Sequence, residues 1–176
     1  RQEEAFAAYD SCLHWKPDNV PGLNNYAYYI SQTGKNLQKA ELMSYKTIKA
    51  EPKNSTYLDT YAWILFMEER YAEAKTYIDQ TLAYSDSTAD NSTVIEHAGD
   101  IYAMNGLTDQ AVAYWQQAQK GSQDPDALKV KIECRKYMTE SEIIKYKWRA
   151  AQDFELRTRD LEERILEQML YTDMDL

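Results

Sequence analysis

The chain has 176 residues, 44% hydrophobic content and a formal net charge of −9 at pH 7. This length is enough for one ordinary domain with its own core. The acidic balance argues against general nucleic-acid binding, which depends on clustered Lys and Arg. No run approaches the roughly eighteen apolar residues of a membrane-spanning helix. Only five Gly and four Pro occur, and β-branched residues are sparse, so we predict an all-α protein.

The chain begins with RQEEAFAAYD, which contains neither an initiator Met nor a basic and apolar leader. This beginning indicates either that a targeting segment has been removed or that the chain is a fragment. The cellular location therefore stays open between the cytoplasm and, if a leader was removed, a bacterial periplasm or envelope.

A pattern of side-chain sizes recurs along the first 125 residues. Each copy has a small residue, a larger one four positions later, a small one at the seventh position and a turn or Pro about five further on. The four copies are Ala5, Tyr9, Cys12 and Pro17; Ala40, Ser44, Thr47 and Pro52; Ala74, Ile78, Thr81 and a turn at Asp86; and Ala111, Trp115, Ala118 and a turn before Pro125. Their first residues are 35, 34 and 37 positions apart, a period that predicts stacked helical hairpins.

Two predicted helix starts carry the letters NST, at residues 54–56 and 91–93. Each is a glycosylation sequon, but each also places a Thr three residues before an acid, Thr56 before Asp59 and Thr93 before Glu96. That spacing is typical of a capping box, in which the hydroxyl and the carboxylate accept hydrogen bonds from free backbone N–H groups. We therefore interpret both segments as helix starts in preference to sugar sites.

Small residues also recur in the helices that precede three of these copies. Ala27, Ala62 and Gly99 stand where a first helix must pack closely on its partner. With these features the chain resembles the tetratricopeptide repeat family over about residues 3–125. The matching residues are Leu23, Ala27, Ile30 and Gly34; Leu58, Ala62, Leu65 and Ala74; and Ile95, Gly99, Tyr102, Gly106, Ala111 and Trp115.

The resemblance implies a right-handed superhelix of helix–turn–helix units at about 1–19, 20–54, 55–91 and 92–124. The first unit retains only its second helix, so we expect an unpartnered apolar face at that end and further repeats before residue 1. Two departures concern the turns. One extra residue lies between Gly34 and Ala40, and Glu69 occupies a position where Gly is usual.

In this family, ligands usually lie in the concave groove that the first helices line. Carried over to this sequence, the groove residues are Asn24, Tyr28, Gln32, Asp59, Trp63, Met67, Glu96, Asp100 and Met104. This groove lacks the Lys and Arg of a carboxylate clamp and combines acidic groups with aromatic and Met side chains. It suits a peptide or protein segment that carries basic and apolar residues. The alternative is that the aromatic residues pack between units and the acids only keep the surface soluble.

Two further helices are predicted after the repeats. Asp124 and Pro125 begin a capping helix within 124–138, with Leu128, Ile132 and Tyr137 on one face. Its ALKVKIECRKYM segment resembles the tail that closes tetratricopeptide proteins of the bacterial envelope. Residues 139–176 form a C-terminal segment in which Thr139 and Glu142 make a capping box and a long amphipathic helix extends from 140 to about 171.

An apolar stripe on this long helix requires a partner surface. Its residues are Ile144, Trp148, Phe154, Leu161, Ile165 and Met169. The stripe either packs back onto the repeats or binds a partner or a second copy, which would make a homo-oligomer. Two i,i+4 pairs, Glu155 with Arg159 and Asp160 with Arg164, should support the helix.

No catalytic or metal-binding pattern emerges. Glu96, His97 and Asp100 share a helix, but the two-His i,i+4 spacing of a metal site is absent. Cys12 and Cys134 read as small core residues, and there is neither a Gly-rich phosphate loop nor a nucleophile elbow. We therefore predict a non-enzymatic scaffold for protein binding, without cofactors. The alternative is an assembly element that acts through the C-terminal helix or the N-terminal end, and a minor third possibility is the accessory part of a larger enzyme.

Overall fold

A computed structural model describes residues 2–85 and 91–173, and the side chains of residues 4–85 and 91–166. Over this part the chain contains nine α-helices and no β-strand, which confirms the all-α prediction. The helices are α1 (Gln2–Trp15), α2 (Val20–Gln32), α3 (Leu37–Ala50), α4 (Ser55–Met67), α5 (Tyr71–Tyr84), α6 (Ser92–Met104), α7 (Thr108–Ala118), α8 (Pro125–Cys134) and α9 (Glu140–Asp173). They form two compact units, Arg1–Tyr137 and Met138–Leu176.

The first unit is a stack of helical hairpins. Helices α2 and α3, α4 and α5, and α6 and α7 pack in pairs, with α1 against α2 and α8 against α7. Helix α4 also contacts both α2 and α6, whereas in residues 2–85 and 91–137 the second helices α3, α5 and α7 do not contact one another. Because the first helices lie closer together than the second ones, the stack curves around the face of α2, α4 and α6. We call this the inner face.

The periodic small residues lie at the helix contacts. Ala40, Ala74 and Ala111 begin the repeated pattern, and all three are fully buried, as are Ala27 and Ala62 in the first helices. In the fourth repeat, Gly99 occupies the position equivalent to Ala62. A Cβ added at Gly99 would lie only 2.4 Å from the Trp115 ring. This ring fills the space that a methyl group would need. The period of small residues predicted from the sequence is therefore confirmed in the second, third and fourth repeats.

Helix α1 departs from the pattern at Cys12. This helix packs against the core cluster of the second repeat through Phe6, Tyr9 and Leu13. By contrast, Cys12 is exposed and Cys134 is only half-buried. The prediction that Cys12 is a core residue is therefore wrong. Cys12 lies at the border of the contact between α1 and α2, where its Sγ accepts a long hydrogen bond of 3.5 Å from the side-chain amide of Asn19.

The Asn residues of both NST segments occupy the N-cap positions of their helices, and Asn54 caps its helix through its side chain. The side chain of Asn54 accepts hydrogen bonds from the backbone N–H groups of Thr56 (3.1 Å) and Tyr57 (3.4 Å), which is the usual geometry of an Asn N-cap. Helix α6 likewise begins directly after Asn91. The capping-box interpretation of Thr56 and Thr93 is wrong, because both Thr already lie inside their helices.

Left-handed backbone conformations close the turns within the hairpins. Gly34 and Gly106 have φ values of 65° and 75°, and Glu69 has the same conformation with φ of 61°. The departure from Gly at residue 69 therefore leaves the geometry of the turn unchanged. The turn predicted at Asp86 lies outside the described residues.

The second compact unit, Met138–Leu176, consists mainly of the 34-residue helix α9. The predicted capping box is confirmed, because the Thr139 N–H donates to Glu142 Oε2 (2.8 Å) and the Glu142 N–H donates to Thr139 Oγ1 (3.4 Å). The predicted i,i+4 pairs of Glu155 with Arg159 and Asp160 with Arg164 are wrong, since neither is among the ion pairs of the described side chains. Their long side chains extend into solvent instead, where an ion pair gains little free energy. Within residues 2–85 and 91–173, no helix has both the length and the apolar character needed to cross a bilayer.

Candidate functional site on the inner face

Polar and aromatic residues that are four positions apart line the inner face. Asp59 and Trp63 lie one turn apart on α4, and Glu96 and Asp100 lie one turn apart on α6. Because residues four apart in a helix share one side, each helix presents two such groups toward its neighbours. The small residues Ala62 and Gly99 bring the helices behind this face close together.

A buried acid and a buried imidazole connect α4 with α6. The Nδ1 atom of His97 lies 3.0 Å from both carboxylate oxygens of Asp59, and both residues are buried. The Trp63 ring stacks on the His97 ring, with centroids 4.1 Å apart, and also on the Phe66 ring at 4.9 Å. Residues of two adjacent repeat units thus form one layer of stacked rings.

A buried lysine connects α6 with α8. Lys131 Nζ lies 2.8 Å from both carboxylate oxygens of Asp100 and 3.2 Å from Glu96 Oε1. The side chain of Lys131 is only 5% exposed, and that of Asp100 only 4%. The indole N–H of Trp115 donates a further hydrogen bond of 2.9 Å to Asp100. The Asp100 carboxylate is therefore held by two donors from different helices, as a buried charge requires.

The ionisation of this face follows from burial and from its ion pairs. Burial lowers the pKa of His97, but the negative charge and the hydrogen bond of Asp59 outweigh burial and raise that pKa above its ordinary value. Burial raises the pKa of Asp100 more than the ammonium group of Lys131 lowers it. Burial, followed by the charge of Asp59, also raises the pKa of the Tyr28 hydroxyl. The residues around His97 thus favour its positively charged form.

The nine residues assigned to the groove by resemblance differ in accessibility. Asn24, Asp59 and Asp100 are buried, with 4%, 8% and 3% of their surface exposed. Four residues are half-buried: Tyr28, Trp63, Met67 and Glu96. Gln32 and Met104 are exposed. The two acids Asp59 and Asp100 thus have partners within the chain, and binding of a ligand by the nine residues stays a prediction.

Two buried polar atoms of the inner face lack hydrogen-bond partners. They are the side-chain oxygen Oδ1 of Asn24 on α2 and the indole Nε1 of Trp63 on α4. One is an acceptor and the other is a donor. Most buried polar groups in proteins are hydrogen-bonded, and an unsatisfied one costs on the order of 1–3 kcal/mol. Both atoms therefore stand out among the described side chains.

Sequence reasoning missed the residues that bond to the acids of this face. Lys131, His97 and Trp115 were not assigned to it, although each bonds to an acid that was. One signal for Lys131 was available, since it stands between Leu128 and Ile132 on the apolar side of α8, where an unpaired lysine would be costly. Within the described part of the chain, no three His, Cys, Asp or Glu side chains are arranged to hold a metal ion.

Comparisons with known proteins bear on both units. The C-terminal sequence model of a family of unknown function, DUF5717, matches residues 130–176. A comparison with curated proteins gives no match. Among solved structures, a thermophilic tetratricopeptide repeat protein from Thermus thermophilus is similar with a TM-score of 0.58 at 14% identity, covering 74% of this chain and 70% of that one.

A tetratricopeptide repeat protein from Parabacteroides merdae is also similar, with a TM-score of 0.44 at 15% identity, covering 76% of this chain and 64% of that one. The likeness to the Thermus protein agrees with the hairpin stack. The chain therefore has the α–α superhelical fold of tetratricopeptide repeat proteins.

Proposed function

We propose that this protein is a non-catalytic scaffold that binds a peptide or protein segment on the inner face of α2, α4 and α6. The observation that carries the proposal is the pair of unsatisfied buried atoms, Asn24 Oδ1 and Trp63 Nε1. An extended peptide backbone offers both N–H donors and C=O acceptors. Both atoms are buried in the free chain, so we expect the Asn24 and Trp63 side chains to turn toward a bound peptide, whose backbone then satisfies both without requiring a particular sequence.

Apolar contacts would add to these hydrogen bonds. Tyr28, Trp63 and Met67 are half-buried, and Met104 is 38% exposed, so each retains surface that a ligand can cover. Aromatic and Met side chains are well suited to partners of varied shape. We expect the ligand to contribute apolar side chains next to the backbone that contacts Asn24 and Trp63.

The ion pairs of the inner face limit its preference for basic ligands. Asp59 and Asp100 are bonded to His97 and Lys131, whereas the Glu96 side chain is still 30% exposed. A basic ligand residue would therefore contact Glu96, and it would compete there with Lys131. We expect one ligand cation to assist binding and a second to add little.

A peptide library provides the test because the proposal specifies a class of ligand and not a sequence. The full chain would be screened against an array of random peptides, and the affinities of the retained peptides would be measured for variants of the two key atoms. Trp63→Phe keeps the stacked ring and removes the N–H group, and Asn24→Leu removes the acceptor. Each should weaken binding about tenfold, which corresponds to one hydrogen bond of about 1.4 kcal/mol.

The chain supplies a matched control. Asn25 is adjacent to Asn24 but exposed, so Asn25→Leu should leave the affinity unchanged. The proposal fails if no peptide binds the wild-type chain, or if retained peptides bind all three variants equally well.

A further inference from the structure

Helix α9 carries an apolar stripe that is exposed over its described length. The large apolar side chains of the stripe have between 49% and 71% of their surface exposed, and they are Ile144, Trp148, Phe154, Leu161 and Ile165. The sixth predicted member, Met169, lies outside the described side chains. Burial of such a row of apolar side chains is favourable, so the stripe is a surface that a second helix would cover.

The stripe follows the seven-residue repeat of a coiled coil. In this repeat, written a to g, the a and d residues face the partner helix. With Ile144 at position a, the core positions over three heptads are Ile144, Lys147, Ala151, Phe154, Thr158, Leu161 and Ile165. Five of these seven residues are apolar. The stripe therefore has the pattern of a short coiled coil.

The two polar core positions are compatible with this packing. The Thr158 hydroxyl donates to the Phe154 carbonyl oxygen at 2.9 Å, so its donor stays paired when a second helix covers the side chain. Lys147 lies in the second turn of α9. In a pair of helices its apolar stem would cover the stripe while its ammonium group extends to water. Neither residue therefore leaves a buried polar group without a partner.

Charges of opposite sign flank the two sides of the stripe. The e and g positions of the repeat lie beside the core, one on each side. Glu155 and Glu162 occupy position e. Arg157 and Arg164 occupy position g. At about 100° per residue, the two acids lie about 50–70° to one side of the middle of the stripe and the two arginines about 90–110° to the other. All four side chains are exposed, and none belongs to an ion pair among the described side chains.

We propose that α9 forms a parallel, two-stranded coiled coil with α9 of a second copy of this chain. In such a pair the g residue of one helix lies beside the e residue five positions further along the partner. Arg157 therefore faces the partner's Glu162, and the two-fold axis repeats this ion pair on the opposite side. Ala150 occupies the g position that faces the partner's Glu155, so no like charges meet there.

The same charges disfavour an antiparallel pair. In that orientation e residues face e residues, and g residues face g residues. Glu155 would then lie opposite the partner's Glu162. Arg157 would likewise lie opposite the partner's Arg164. Like charges in such positions are destabilising, so a helix with acids on one side of its stripe and bases on the other is complementary to its own copy only in the parallel orientation. This pairing is independent of binding on the inner face.

Charge reversal in the full chain tests the proposal. The monomer has a mass of 20.6 kDa, and light scattering should give twice that mass for the wild type. Arg157→Glu and Glu162→Arg each replace both ion pairs by like charges, so each should raise the dissociation constant of the dimer at least about tenfold. An equimolar mixture of the two variants should form a heterodimer. Both substitutions in one chain should restore the homodimer.

Matched substitutions on the opposite face of α9 separate these contacts from general charge effects. Arg149→Glu and Glu163→Arg make the same chemical changes, but both residues project away from the stripe, so these variants should associate like the wild type. Far-UV circular dichroism should show the same helix content in every variant. A wild-type mass other than that of two chains, undiminished association of the Arg157 or Glu162 variant, or an unassociated mixture would each overturn the proposal.

A second pair of variants tests the apolar core. Leu161→Asp places a charge at a d position and should give a monomer. Leu156 lies on the opposite face of the helix and is also 50% exposed, so Leu156→Asp should remain a dimer. Equal association of the two variants would show that the stripe is not the interface.

Disulfide trapping tests the orientation in chains whose Cys12 and Cys134 have been replaced by Ser. In a parallel pair each a residue faces its own copy, so chains with Ala151→Cys should cross-link to themselves on oxidation. In an antiparallel pair with the same core, Phe154 would face the partner's Ile165. Cross-linking between Phe154→Cys and Ile165→Cys chains, without self-cross-linking of Ala151→Cys, would contradict the proposed orientation.

Discussion

Lys131 of α8 holds that helix to α6 of the inner face because its ammonium group is buried among carboxylates. Its Nζ contacts both oxygens of Asp100 at 2.8 Å and Glu96 at 3.2 Å, and the side chain is 5% exposed. Replacing Lys131 by Met keeps the packing of the stem but leaves the Asp100 carboxylate buried and without its cation. Such a change costs about 3–5 kcal/mol. We expect Lys131→Met to lower the free energy of unfolding by about that amount, as measured by urea denaturation.

A second substitution shows whether the loss comes from the unpaired charge. Lys131→Met combined with Asp100→Asn should be less destabilised than Lys131→Met alone, because the double variant contains no buried unpaired charge and the new amide at position 100 still offers an acceptor to the Trp115 N–H. Lys129→Met on the exposed side of the same helix should change the stability by less than about 0.5 kcal/mol. Equal losses for Lys129→Met and Lys131→Met would show that the ion pair does not stabilise the fold.

His97 should make the stability of the protein depend on pH in one direction. Asp59 raises its pKa in the folded state above the ordinary value near 6.5. The folded state therefore binds a proton more tightly than the unfolded state. The resulting stabilisation is complete below about pH 6.5 and is lost as the pH rises through the folded-state pKa. We expect the difference in unfolding free energy between the wild type and His97→Gln to decrease between pH 5.5 and pH 9.

Asp59→Asn provides the control for this pH dependence. It removes the two largest effects that oppose burial, the charge and the hydrogen bond of Asp59. In that background, the comparison with His97→Gln should no longer show the decrease toward high pH. A decrease of unchanged size would contradict the assignment of the effect to the pair of Asp59 and His97.

Within the repeat units, the sequence predicts some features far better than others, and the reason is distance along the chain. The small residues Ala27, Ala62 and Gly99 were predictable because they recur at a fixed period and each acts between neighbouring helices. The cap of α4 was placed two residues late, at Thr56, because Asn54 and Thr56 both suit a helix start and only the backbone geometry distinguishes them. The bond between Lys131 and Asp100 joins residues 31 positions apart. That contact depends on how α7 places α8 beside α6, which no local pattern contains.

The turn between α4 and α5 contains a residue that is poorly suited to its backbone conformation. Glu69 has φ of 61°, a left-handed conformation that costs a residue with a Cβ roughly 1 kcal/mol relative to Gly. Gly34 and Gly106 occupy the corresponding turns. We expect Glu69→Gly to raise the unfolding free energy by up to about 1 kcal/mol, as measured by thermal denaturation.

The reverse substitution tests the same explanation in another unit. Gly106→Ala places a Cβ at φ of 75°, and no neighbouring atom lies within contact distance of that Cβ. Its effect therefore reports conformation without steric overlap, and it should destabilise the protein by about 1 kcal/mol. If neither Gly106→Ala nor Glu69→Gly changes the free energy of unfolding, these turns relax out of the left-handed conformation.

At the scale of the whole molecule, the stack must be closed at its C-terminal end. In repeat proteins each unit contacts only its neighbours, so an uncovered last unit exposes its apolar face. We propose that helix α8 performs this closure, because Leu128 is fully buried in the same cluster as Trp115 and Ala118. The ion pair of Lys131 adds a polar link at the same junction. Closure and the organisation of the inner face thus depend on the same short helix.

Two truncated chains measure this closure, and both lack α9, so they differ only in residues 124–138. The chain that ends at Met138 retains α8, whereas the chain that ends at Gln123 leaves Asp100 without Lys131 and exposes the cluster around Trp115. Loss of the buried leucine costs about 1.5–3 kcal/mol, and loss of the lysine adds a further penalty of about 3 kcal/mol or more. These losses are a large part of the roughly 5–15 kcal/mol that stabilises a typical domain. We expect the longer chain to unfold cooperatively in urea. The shorter chain should unfold over a broad range of urea concentration or aggregate. Equal unfolding midpoints for the two chains would exclude α8 as the closing element.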